Sequence, residues 1–131
     1  QKPKESFKEV LTKAFYELGK MHGAGIQHGH PHYRNLLVDE DRNLMWVDPK
    51  FLRRSNQMPL AQAPYDLSDV RIPSTDVMEP GAINDLLWFV GDISIKQPTQ
   101  YDRLNWEEVN KHYRKGFEEG KRRVEKLKLD G

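Results

Sequence analysis

The sequence predicts an α+β protein, mostly helical, with a small β-hairpin. Three observations carry that expectation: an apolar stripe at helical spacing near the start, two short apolar runs joined by a polar connection, and two helical segments in the second half. At 131 residues the chain fits one domain, 1–131, able to bury roughly two-thirds of its unfolded surface.

Phe7, Val10, Leu11, Ala14, Phe15, Leu18 and Met21 recur three and four apart, which predicts a helix from about Phe7 to His22. Ser6 and Glu9 form a capping box at its start, and Gly23 and Gly25 end it. "NLLV", a polar "DEDRN" connection and "LMWVD" then read as the hairpin. From Leu52 to Gly81 there is little periodicity, and Pro59, Pro64, Pro73 and Pro80 follow Pro49; a loop this long is usually functional or partly mobile. "AINDLLWFVGDISI" reads as a buried helix, apolar on most sides, with Asp85 near its start. Pro98 interrupts the chain before a last helix, within 99–131, whose stripe is Trp106, Val109, Tyr113, Phe117, Val124 and Leu127. Gly116 and Gly120 weaken that helix locally. Trp46 and Trp88, in apolar runs, are expected in the core.

Composition narrows the function classes. Apolar content of 37% and charged content of 31% suit a folded, soluble protein rather than a disordered one. With no cysteine there is no disulfide scaffold, thiolate metal site or thiol nucleophile, which fits a cytoplasmic protein. No apolar run reaches the roughly 20 residues of a membrane span, and no signal peptide opens the chain. The start at Gln1 fits a piece of something longer. Eight Lys and Arg face three Glu between Lys111 and Lys128; with a net charge of +1, a solvated helix face is favoured over nucleic-acid binding.

The candidate chemistry lies in "GIQHGHPHYRNLLVDEDRNLMWVDPKF", Gly25 to Phe51. In a strand, His28, His30 and His32 would share one face and suit zinc, copper or nickel. Gly29 and Pro31 argue against a regular strand, and nothing in the sequence ties His22 or His112 to the run. A second pair offers oxygen instead: the Asn35 carboxamide and the Asp48 carboxylate, brought together by the hairpin, could hold magnesium, which prefers hard oxygen ligands.

"HGHPHYRN" resembles the "HGDxHxxN" catalytic loop of aminoglycoside phosphotransferases, lipopolysaccharide-type kinases and related atypical kinases, and "MWVDPKF" resembles the strand and Asp of their D-F-G element. "HGAGIQHG" is similar to the family's run-in, and "INDLLWFVGDI" stands where its helix with an early Asp would follow. Over about Phe7 to Ile95 the resemblance implies a kinase-like C-lobe, with the N-lobe, its Gly-rich loop and its lysine absent from this chain. It implies Mg and ATP as cofactors, with Asn35 and Asp48 as metal and nucleotide residues, and structural roles for His28 and Asp85, the latter bracing the loop through backbone N–H groups. Arg53 and Arg54 would fall in the activation-type segment, where they could bind phosphate or stand as solvated surface arginines. The catalytic position, an Asp in the family, is His30. The expected function is therefore a pseudokinase-like or incomplete phosphotransferase C-lobe acting as a binding module for a protein partner or a separate N-lobe. Two alternatives stand: an active phosphotransferase for small-molecule or sugar hydroxyls, and a histidine metal-binding protein.

Overall fold

The first helix, α1, spans Phe7–Gly23 in the computed structural model, which describes residues 7–41, 43–47, 53–54, 71–76 and 78–130. Leu11, Ala14, Phe15 and Leu18 are fully buried along it, because a 3.6-residue period turns positions three and four apart to one side. The helix runs one residue past the expected end. Gly25 then takes φ 79, the left-handed conformation that glycine adopts without a steric penalty. Ser6, and with it the capping box, lies outside the described residues.

Two small antiparallel sheets follow. β1, Ile26–Gln27, pairs with β4, Arg53–Arg54, a pairing the sequence did not suggest. Two-residue strands are too short to show period-two alternation. The expected hairpin forms from β2, Leu36–Val38, and β3, Leu44–Trp46, with Leu36 opposite Trp46, Leu37 opposite Met45 and Val38 opposite Leu44. Asp39 closes its connection by accepting from the backbone N–H groups of Asp41 and Asn43 at 2.9 and 2.8 Å.

α2, Pro80–Lys96, is the buried helix, with Leu86, Phe89, Val90 and Ile93 fully covered. Proline suits its first turn, where the missing N–H has no intrahelical partner to lose. Pro98 plays the same part in α3, Pro98–Arg103, a short helix where the sequence suggested only an interruption. α4, Trp106–Asp130, is the last described element.

The stripe assigned to α4 is only partly its buried face. Val109 and Tyr113 are buried, but Leu127 is 70% exposed. The contact with α1 runs instead through glycines. A Cβ on Gly116 would overlap the Tyr16 carbonyl oxygen and one on Gly120 that of Lys20; across the seam, Gly19 and Gly23 face the carbonyls of Tyr113 and Phe117. The two backbones therefore touch, which only residues without a side chain allow. Between α1, α2 and α4 lies an aromatic core: Phe15 and Trp46 each meet Phe89 with ring centroids at 4.9 Å. Trp46 also donates its indole N–H to the Ala14 carbonyl at 3.0 Å, satisfying its polar edge.

Candidate functional site

The loop between β1 and β2 carries the histidine run, and α2 holds it. Asp85, with no exposed surface, accepts from the backbone N–H groups of His28 at 2.8 Å and Gly29 at 2.9 Å. Gly29 sits at φ 90, a conformation that favours glycine, so the chain can turn both amides onto one carboxylate. His22, at the end of α1, brings its Nε2–H to the same carboxylate at 2.8 Å. Its Nδ1 faces the Tyr113 hydroxyl of α4 at 2.7 Å. A neutral imidazole protonated at Nε2 satisfies both contacts, with Tyr113 donating to Nδ1. Burial pushes the Tyr113 hydroxyl well above its ordinary pKa, and the nearby Asp85 charge adds to the effect, so it remains a donor. A carboxylate taken out of water costs several kcal/mol unless donors surround it, as these do.

His28 points inward. Its Nδ1 accepts from the His30 N–H at 3.1 Å, which leaves Nε2–H to donate to the Val47 carbonyl at 2.8 Å. Burial holds its pKa below the ordinary value, keeping the ring neutral. The far end of the loop is a 3-10 turn, Tyr33–Asn35. His32 caps it, its Nδ1 accepting from the Arg34 N–H at 3.2 Å, while its Nε2–H reaches Asp92 of α2 at 3.0 Å. Burial lowers the His32 pKa in spite of Asp92, so this contact is a hydrogen bond from a neutral ring to a carboxylate.

His30 and Asn35 come together between these anchors. The Asn35 Nδ2 donates to the His30 carbonyl at 3.1 Å. Only the amide nitrogen can donate to a carbonyl, so the Asn35 side-chain oxygen faces away from it. The His30 ring lies against Trp88, centroids 5.4 Å apart, and 6.0 Å from the His32 ring. Trp88 is thus half-buried beside the loop, whereas Trp46 packs against the core. No family model, curated protein or solved structure matches this chain.

The bonds alone then decide what the loop can offer. The ring nitrogens of His28 and His32 are engaged within the protein, and the three histidines lie in irregular chain around the bend at Gly29 and before the 3-10 turn, not on one strand face. Among the described residues no group of three His, Asp or Glu side chains could hold a metal ion. Asp48, expected beside Asn35, lies outside the described residues, as do the side chains of Arg53 and Arg54. A hollow of about 630 Å³ opens beside His22, Glu79, Arg114 and Lys121, and neither His30 nor Asn35 lines it.

Three residues at this site were not singled out from the sequence. His22, which nothing seemed to tie to the run, is joined to it through Asp85. Its signal was positional: it continues the face of Leu11, Phe15 and Leu18, where a histidine must find polar partners. Asp92 stands seven residues after Asp85 in a helix apolar on most sides, so the two acids share a face. Tyr113 read as core, and its hydroxyl left no trace in the pattern.

Proposed function

We propose that this chain is the helical lobe of a kinase-like fold working as a binding module, with His30 standing where a phosphotransferase keeps its catalytic aspartate. The observation that supports this most is the Asp85 carboxylate holding the N–H groups of His28 and Gly29, the two residues before His30. Those bonds hold the backbone just before position 30, where this reading puts the base, and the carboxamide it assigns to magnesium follows five residues on. The order of helix, loop, hairpin and buried helix agrees with the reading. An imidazole at position 30 lacks the negative charge that a carboxylate would bring beside a divalent cation, so transfer is weak or absent and binding remains. The partner side of the reading draws on the hairpin, where Leu37, Val38 and Met45 are 55%, 50% and 56% exposed.

The test is a titration of ATP with and without magnesium into the chain, Asn35→Ala and Asp48→Ala. Weak magnesium-dependent affinity, reduced by about tenfold or more in either variant, is expected, without phosphate released or transferred. Affinity indifferent to magnesium and to both substitutions would remove the nucleotide part of the reading. Transfer of the γ-phosphate to a hydroxyl compound would replace the binding module with an active phosphotransferase.

A further inference from the structure

We propose that Asp92 is a positioning residue that sets, through the His32 imidazole, the orientation of the Asn35 carboxamide. What Asn35 holds rests on the reading above; how Asn35 is held rests on the bonds alone. Asp92 and Asp85 are both fully buried and lie two turns apart on one face of α2. Asp85 fixes the start of the loop, and Asp92 fixes its end. One Asp92 oxygen accepts from the Tyr33 N–H at 3.2 Å, and the other accepts from His32 Nε2–H at 3.0 Å.

The second of these bonds is carried onward. His32 uses its other nitrogen to accept from the Arg34 N–H, and its backbone carbonyl accepts from the Asn35 N–H at 2.7 Å. His32 therefore ties α2 to both remaining residues of the 3-10 turn, to Arg34 through its ring and to Asn35, the last of them, through its backbone carbonyl. The His32 ring also stacks on Tyr33, centroids 5.1 Å apart at 25°, which leaves the imidazole little freedom to rotate. With the turn held, the Asn35 Nδ2 meets the His30 carbonyl, and the amide oxygen is aimed away from it.

Stability alone does not call for a carboxylate at position 92. Replacing buried charged groups by apolar ones of similar volume is often neutral or stabilising. What an apolar residue cannot do is accept from two N–H groups arriving from different directions. Asparagine offers only one oxygen there, so one of the two donors loses its partner.

Nitrogen-15 spectra of the whole chain provide the test, comparing wild type with Asp92→Asn, His32→Phe and, as a control, Val90→Ala. His32→Phe keeps the stacking on Tyr33 but removes both ring nitrogens. Val90→Ala removes two methyl groups from the core and leaves the hydrogen bonds of the loop in place. In wild type, His32 is expected as the Nε2–H tautomer and the Asn35 side-chain amide as protected from exchange. Both Asp92→Asn and His32→Phe are expected to lose the Asn35 protection and to lower magnesium-dependent ATP affinity by about tenfold or more. Val90→Ala is expected to lower only the melting temperature. If the Asn35 signals in both loop variants match those in Val90→Ala, the proposal is overturned. If wild type shows no magnesium-dependent ATP affinity, the reading of the site fails separately, and the Asn35 signals still decide whether Asp92 positions it.

Discussion

Asp85 accepts from the N–H groups of His28 and Gly29 and from His22 Nε2, all at 2.8 to 2.9 Å, so one carboxylate withdraws three donors from water together. His28, whose backbone N–H is one of these donors, shows the consequence of burial for pH. In the folded protein burial holds its pKa below the ordinary value of 6.5. The unfolded chain therefore binds more protons once the pH falls below that value. This histidine's contribution to stability is fully present above 6.5 and is lost as the pH falls toward the depressed folded value. His32 acts in the same direction. Unfolding free energies from urea titration, and the midpoints with them, are expected to drop on acidification from about pH 7.5 to 5.5, the free energy by at most about 1.4 kcal/mol per pH unit for each histidine. His28→Gln is expected to flatten that slope while lowering stability throughout. A midpoint that rises with acid would show that burial does not govern these rings.

At the scale of elements, α4 shows how propensity and packing compete. Glycine costs about 1 kcal/mol relative to alanine inside a helix, so Gly116 and Gly120 by themselves weaken α4. The structure explains their presence, since each faces a backbone carbonyl of α1 that cannot swing aside as a side chain would. Overpacking at such a seam costs about 1–3 kcal/mol, with no flexible neighbour to relieve it. Gly116→Ala is accordingly expected to lower stability by about 1 kcal/mol or more, despite alanine's better propensity. A thermal melt decides the point, because an increase in Tm would mean that the helices can separate without loss. The sequence marked these glycines as weak points for a sound local reason. Their use depends on a partner helix that lies far along the chain. The same seam brings Tyr113 within 2.7 Å of His22, so α4 supports the loop as well as the core.

For the molecule as a whole, the hairpin is one exposed apolar feature among the described residues, beside Ile95, Leu127 and Leu129. Leu37 and Met45 are cross-strand neighbours, more than half exposed, with Val38 beside them. Directly opposed side chains on one face act as a unit, so Leu37 and Met45 offer one apolar surface, while Val38, one position along the strand, lies on the other face with Leu44. Concentration-dependent association in sedimentation is expected, and the double substitution Leu37→Lys and Met45→Lys should abolish it with little change in melting temperature. A monomer at high concentration for the unaltered chain would count against this surface as a self-association site. Most of the fold was legible in the sequence. Apolar spacing determined α1, α2 and α4, and the polar break in "NLLVDEDRNLMWVD" determined the hairpin, because these signals are local and repeat along the chain. The sequence singled out the loop through His28, His30 and Asn35, and α2 through Asp85. The construction of the loop was not legible. Only the tertiary structure decided that His22 meets Asp85 across 63 positions, that Asp92 meets Tyr33 across 59, and that glycines line the seam of α1 and α4. Those contacts depend on which faces come together once the helices pack, and no repeating pattern along the chain records that.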